Sequence, residues 1–302
     1  MGLTDALQRA GLDPGAVDAL VRATLAEDLG GGVDVTSVAT VPEDQRAVLD
    51  LTARVAGVVA GLPVAGRVFE LESGGDSAVA IVRGDGERVE PGDVVLTVRG
   101  LTRSLLVCER TALNLLCHLS GVATLTRAWV DAVAGTEAQV RDTRKTTPLL
   151  RALEKYAVRC GGGVNHRMSL ADAALVKDNH VAAAGGVVAA FRRVRESFPD
   201  VAVEVEVDTV ADAVDAVEAG ADLVLLDNFG LDDLVSTVRL VDGRARLEAS
   251  GGLTLADAAA VAGSGVDYLA VGGLTHSAPV LDVGLDFLPP DTAKGADDAA
   301  GD

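Results

Sequence analysis

Eight of the chain's 26 Lys and Arg residues fall between Arg141 and His180, against four acids, Asp142, Glu154, Asp172 and Asp178. Outside that window 18 cations face 41 acids. Lysine is rare, yet Lys145, Lys155 and Lys177 lie inside the window and only Lys294 outside it. His166 and His180 are half of the histidines. A cationic island in an acidic chain suits an anionic small molecule. Its members differ in setting. Arg151, Lys155 and Arg159 are spaced as one solvated helix face, with Glu154 beside them. Arg144-Lys145 instead follow a strand-like segment, and Lys177 ends one. The formal net charge of −19 argues against nucleic acid or an anionic membrane as the main partner.

Carboxylates recur with a strand period. In Val203-Glu204-Val205-Glu206-Val207-Asp208, the acids Glu204, Glu206 and Asp208 share one face. With Val packed under helices, that face points inward, where carboxylates need cationic or metal partners. Glu204 either pairs with a cation there or meets substrate. Mg²⁺ takes few protein oxygens, so Glu206 and Asp227 suffice for it. Two Gly-rich segments, Ser250-Gly251-Gly252 and Gly272-Gly273, each precede a helical run. Backbone amides there can approach an anion closely, and two such segments side by side make a phosphate cradle. His276 follows the second, and contact with the same phosphate or none are equal readings for it. No HExxH, GxSxG or GxxxxGK[ST] occurs, which disfavours a zinc protease, a serine esterase or a P-loop NTPase.

These residues need a scaffold. Residues 4 to 28 read as helical with a break at Leu12-Asp13-Pro14-Gly15, 47 to 60 as strands, 62 to 72 as a helix, and 94 to 98 as a strand after the turn Pro91-Gly92-Asp93. A long helical run from Ser104 to Ala134, interrupted near Ser120-Gly121, follows. His118 and Trp129 on it read as packing residues. Strand-like segments at 137–142, 173–177, 201–207, 222–227, 245–249 and 266–271 then alternate with helical ones. Such repeats give parallel strands with right-handed crossovers. Six favour a barrel over a doubly wound sheet, with the chemistry at the strands' C-terminal ends, where these polar residues stand.

The 302 residues are 49% hydrophobic and 24% charged, enough for one large or two ordinary domains. No apolar run of about 18 residues reads as a membrane span, and Met1 to Asp5 lack the start of a secretion signal. Three cysteines, Cys108, Cys117 and Cys160, with no CxxC favour a reducing cytoplasm and give no zinc framework. They read as small buried residues, and the acidic, Ala/Gly-rich tail after Pro289 as disordered.

The residues resemble the quinolinate phosphoribosyltransferase family, also called nicotinate-nucleotide pyrophosphorylase (carboxylating). The resembling segments are Leu25 to Gly32, Glu109 to Asn114, His118 to Gly121, Asp142-Thr143-Arg144-Lys145-Thr146-Thr147-Pro148 and Lys155 to Arg159. They continue through Gly161 to Arg167, Lys177-Asp178-Asn179-His180, Glu204 to Asp208, Leu226 to Phe229, Glu248 to Gly252 and Gly265 to His276.

The resemblance implies an open α/β barrel of parallel strands with an N-terminal α+β domain. The divisions are 1–112 for the N-terminal domain, to which 277–288 returns, 113–276 for the barrel and 289–302 for the tail. It implies transfer of phosphoribosyl from phosphoribosyl pyrophosphate to quinolinate with loss of CO₂, giving nicotinate mononucleotide and pyrophosphate in de novo NAD biosynthesis. It implies a homodimer or higher assembly, with Arg110 entering the neighbouring subunit's site. Arg144, His166, Arg167 and Lys177 would hold the two quinolinate carboxylates. Lys145, Glu206 and Asp227 would act catalytically at the ribose and pyrophosphate with Mg²⁺, on Glu206 and Asp227. Thr143 joins the substrate-binding set, and Ser250-Gly251-Gly252 with Val271-Gly272-Gly273 would take the 5′-phosphate. One departure stands out: the family usually has Gly where Leu149 follows Pro148, a change that bears on loop closure and rate. Alternatives are a homologue for another phosphoribosyl acceptor, such as the molybdenum-transport-associated relatives, and a non-catalytic phosphate-ligand binder.

Overall fold

Capping residues set the first helices. In this computed structural model, which describes residues 2–288, Asp13 accepts from the Gly15 and Ala16 amides and Pro14 occupies the first turn of α2. The tail after Pro289 lies outside the described residues. The chain runs α1 (Leu3–Arg9), α2 (Pro14–Leu29), α3 (Val35–Thr40), β1 (Arg46–Ala53), β2 (Gly57–Val58), α4 (Leu62–Glu72), β3 (Ala78–Ile81), β4 (Arg88–Val89), β5 (Val94–Leu101) and α5 (Thr102–Ala132). It continues β6 (Gln139–Arg141), α6 (Arg151–Cys160), β7 (Ala174–Val176), α7 (Asp178–Ala184), α8 (Val187–Ser197), β8 (Val203–Val207), α9 (Val210–Glu218) and β9 (Leu223–Asp227). The last elements are α10 (Leu231–Val241), β10 (Arg246–Ser250), α11 (Ala258–Gly263), β11 (Tyr268–Ala270), α12 (Gly273–His276) and β12 (Val283–Phe287).

Two compact units emerge. The first takes residues 2–124, 152–161 and 278–288 of the described chain. Its antiparallel sheet has the order β12-β1-β5-β3. The division drawn from sequence at 112/113 falls inside α5, and residues 152–161 join the first unit as well. No loop marks that boundary, because α5 is one unbroken helix. The expected interruption at Ser120-Gly121 is absent. Gly121 stays helical and admits a close pass of the Pro279–Val280 backbone, which a Cβ would meet at 2.1 Å. Ser120 Oγ accepts from the Ala60 amide at 3.0 Å. Glu154 and Lys155 of α6 are both fully buried, so the solvated helix face read from sequence is not what forms.

The second unit holds the six-stranded parallel sheet β6-β11-β10-β9-β8-β7. This is the order of an α/β barrel opened between β6 and β7, consecutive strands that do not pair. All six expected strands form. Val203, Val205 and Val207 are buried as expected of a strand packed under helices. Among the described residues no helix is long and apolar enough to cross a membrane.

Candidate active site

The strands' C-terminal ends surround a cavity of about 430 Å³. Thr143, Arg144 and Lys145 enter it after β6, Lys177 after β7, Glu206 from β8, Asp227 from β9 and Ser250 from β10. His166 and Arg167 come from the segment before β7, and Leu175, Leu225 and Ala270 supply apolar wall. A second cavity of about 380 Å³ shares Thr143, Lys145 and Ser250 and adds Gly251, Gly252, Val271, Gly272, Gly273 and His276. Fourteen of the fifteen residues singled out in the sequence therefore line these two cavities. Arg110 lines neither, and its side chain is 62% exposed on α5.

Hydrogen bonds hold the cationic loop. Lys145 N donates to Thr143 Oγ1 at 3.0 Å, Arg151 Nε to Thr146 Oγ1 at 3.1 Å, and Thr275 Oγ1 to the Lys145 carbonyl at 2.8 Å. Arg167 Nη1 donates to the Ala173 carbonyl at 2.7 Å. Arg144 and Arg167 each bury an Nε that has no hydrogen-bond partner, a donor left over for an anionic guest. Burial, and after it the Arg144 guanidinium, pushes the Arg167 pKa below its ordinary value. Both effects favour a bound carboxylate.

Lys177 Nζ donates to Glu206 Oε2 at 2.5 Å. Asp227 Oδ2 accepts from Asn228 Nδ2 at 2.7 Å, and Asn228 adopts φ 58°, which its short polar side chain tolerates. Glu206 and Asp227 also line a third, acidic cavity of about 330 Å³ with Asp178, Asp208 and Asp212. In the glycine cradle, Gly251 has φ +94°, and a Cβ there would lie 2.2 Å from Asn228 Oδ1. Gly252 and Gly273 have open space where a Cβ would go.

Beneath the cations lies a buried acidic floor. His166 Nε2 is 2.6 Å from Glu204 Oε2 and 3.8 Å from Glu248 Oε1, while Arg141 Nη1 donates to Glu248 Oε2 at 2.6 Å. His166 Nδ1 accepts from the Arg167 amide at 2.7 Å. Both ring nitrogens are thus engaged inside the protein, so His166 orients the Arg167 backbone and Glu204 instead of reaching outward. Of the two readings of Glu204, a partner inside the barrel is what this contact shows, although that partner is the His166 ring. Burial, and then Glu204, raises the Glu248 pKa to about 7. Glu248 had no assigned role in the sequence; its signal was an acid flanked by Leu247 and Ala249 in a strand. Trp129 is buried as expected yet also lines the second cavity, and His118 pairs with Glu154 at 2.8 Å.

Comparison with known proteins places one break near residue 121, inside α5. The quinolinate phosphoribosyl transferase N-terminal domain model matches residues 34–120, and the C-terminal domain model matches residues 122–286. The nicotinate-nucleotide pyrophosphorylase (carboxylating) of Mycobacterium leprae (strain TN) is 52% identical over 271 residues, covering 88% of this chain and 95% of that protein. The crystal structure of NadC from Streptococcus pyogenes is similar with a TM-score of 0.87 at 43% identity, over 92% of this chain and 99% of that one. The nicotinate-nucleotide pyrophosphorylase of Francisella tularensis gives a TM-score of 0.88 at 34% identity, over 92% and 98%. This chain belongs to the quinolinate phosphoribosyltransferase family.

Proposed function

We propose that the protein transfers phosphoribosyl from phosphoribosyl pyrophosphate to quinolinate with decarboxylation, giving nicotinate mononucleotide, pyrophosphate and CO₂. The observation that carries this reading is the sharing of Lys145 between two adjoining cavities, one cationic and apolar-walled, the other a glycine cradle. Arg144, Arg167 and Lys177 take the two ring carboxylates, and Arg forks suit carboxylates better than point charges do. The cradle amides and Lys145 take the 5′-phosphate. Departure of pyrophosphate leaves positive charge on the ribose carbon, which Glu206 and Asp227 stabilise electrostatically. Leu175, Leu225 and Ala270 keep water from the ring.

Glu206 and Asp227 offer oxygen donors only, among the further carboxylates of Asp178 and Asp208, and this set fits Mg²⁺. Mg²⁺ held there would neutralise the departing diphosphate. The site is completed in a homodimer by Arg110 of α5, whose exposed guanidinium is directed to a neighbouring subunit's quinolinate. The free cysteines fit a reducing cytoplasm, and burial raises the Cys160 thiol to about 12.

Incubation with quinolinate, phosphoribosyl pyrophosphate and Mg²⁺ is expected to yield nicotinate mononucleotide. Turnover of nicotinate but not quinolinate would overturn the acceptor. Tight ligand binding without any product would favour a binder.

A further inference from the structure

The ribosyl transfer leaves one buried acid of the first cavity unused. Glu248, in the middle of β10, is fully buried and lines the cavity. Its Oε2 accepts from Arg141, and its Oε1 has no hydrogen-bond partner. Glu204, on β8 and 3% exposed, likewise keeps Oε1 without a partner. One polar atom from each of His166, Glu204 and Glu248 falls within 4.8 Å of the others.

Two carboxylates this close in a dry site do not both ionise readily. His166 Nδ1 accepts the Arg167 amide, so the ring proton sits on Nε2 and is donated to Glu204. Burial first, and then the neighbouring Glu204, push the Glu248 carboxyl up, against the Arg141 guanidinium, which pulls it down. The same tautomer has no free lone pair on Nε2, so the trio holds a proton and not a metal ion. Of the other groups facing Glu248, β9 sets the apolar Leu225 beside it and β11 sets Tyr268, while Arg141, stacked over that ring at 4.7 Å, bonds Glu248 Oε2 and favours the ionised form without outweighing burial.

Other proton carriers of the cavity are committed. His166 gives its only N–H to Glu204, Lys177 is paired with Glu206, and Lys145 belongs also to the phosphate side. Arginines hold their protons throughout the neutral range.

We propose that Glu248 is the acid that protonates the pyridine carbon from which CO₂ departs, an assignment that rests on the reaction proposed above. The bond between that carbon and its carboxyl group breaks, and CO₂ leaves. The electron pair stays on the carbon beside the ribosylated nitrogen. The Glu248 O–H gives its proton to that carbon, forming the C–H bond. The carboxylate left behind is held by Arg141 and takes a proton back from water after product release. The raised pKa of Glu248 accords with a carboxyl that still carries its proton near neutrality.

Two measurements test this. The infrared difference spectrum of the unliganded wild type minus Glu248→Gln near pH 6 is expected to show the carbonyl stretch of a protonated carboxylic acid, with other buried carboxyls such as Asp85 cancelling. No such band in the difference overturns the assignment. In kinetics, Glu248→Gln is expected to bind quinolinate within about twofold of wild type while kcat falls roughly a hundredfold. Glu248→Asp, which keeps an acid, is expected to recover part of that kcat. Unchanged kcat in Glu248→Gln, or no recovery in a folded Glu248→Asp, sinks the proposal. Should the wild-type protein form no nicotinate mononucleotide, the reaction itself is wrong, a failure seen without either variant.

Discussion

Lys177 Nζ at the end of β7 donates to Glu206 Oε2 of β8 at 2.5 Å, so the cation proposed for quinolinate rests on the carboxylate proposed for the ribose. Each group holds the other until ligands separate them. Glu206→Gln releases Lys177 and removes the negative charge at the reacting sugar. Steady-state kinetics are therefore expected to show kcat down about a hundredfold, with KM for quinolinate unchanged or lower. A rise in that KM with kcat preserved would place Glu206 in quinolinate binding.

The glycine cradle separates stability from function. At Gly251 a methyl collides with Asn228, on top of φ +94°, so Gly251→Ala is expected to cost about 1–3 kcal/mol in a denaturant melt. At Gly273 a methyl meets nothing within 4 Å, so Gly273→Ala is expected to melt as wild type does while KM for phosphoribosyl pyrophosphate rises severalfold. An unchanged KM there would move the 5′-phosphate off Gly273.

The sequence made the second unit legible because its strands are short, Val-rich and end in charged or Gly-rich signals. The register of Val203 to Asp208 told that Glu204 and Glu206 turn inward, while Asp208, expected on the same face, lies past the end of β8 and is exposed. What stayed hidden depends on neighbours distant in sequence. Gly121 reads as a helix break, yet it accommodates Pro279, 158 positions on. Lys155 reads as a surface lysine, yet α6 packs Glu154 and Lys155 inward with its apolar residues while Arg159 stays exposed. The commitment of His166 to Glu204 hinges on an amide next door, which no residue spacing reveals.

Leu149 shows a departure whose consequence the backbone makes concrete. It stands at φ 68° with 92% of its surface exposed, so it bears left-handed strain without burying anything. That conformation costs a non-glycine residue about 1–2 kcal/mol, and glycine gives back about 0.5–1 through the unfolded chain. Leu149→Gly is expected to be neutral or slightly stabilising, and the β-branched Leu149→Val to be destabilising by about 1 kcal/mol or more. Equal melting of all three proteins would show that the loop relaxes to another conformation.

Arg110 carries the dimer prediction. It is exposed on α5 and lines neither substrate cavity, so a role in the reaction needs a second subunit. Arg110→Ala and Arg144→Ala are each expected to be nearly inactive. Exchanged in equal amounts, half the dimers are mixed and each has one intact site, so roughly a quarter of wild-type activity returns. Mixed dimers that form without recovered activity would place Arg110 outside the site.

Glu248 also leaves a trace in stability. Burial raises its carboxyl from the ordinary 4.5 to about 7 in the fold. Between those values the native state holds a proton that the unfolded chain has released. Stability of the unliganded protein therefore falls as pH rises through that window, by an amount on the order of a few kcal/mol, and levels off above it. Asp18 and Asp34, held below the ordinary range first by hydrogen bonds from Arg67 and Ser37, act on the acid side, where their stabilisation is lost as pH falls. Asp85, raised by burial, slopes in the same sense as Glu248, but it is present in wild type and in Glu248→Gln alike and drops out of their difference. Urea melts at about pH 5 and about pH 8 are thus expected to show the variant gaining on wild type as pH rises, because Gln has no proton to lose. Parallel changes in the two proteins would mean that Glu248 enters the fold already ionised.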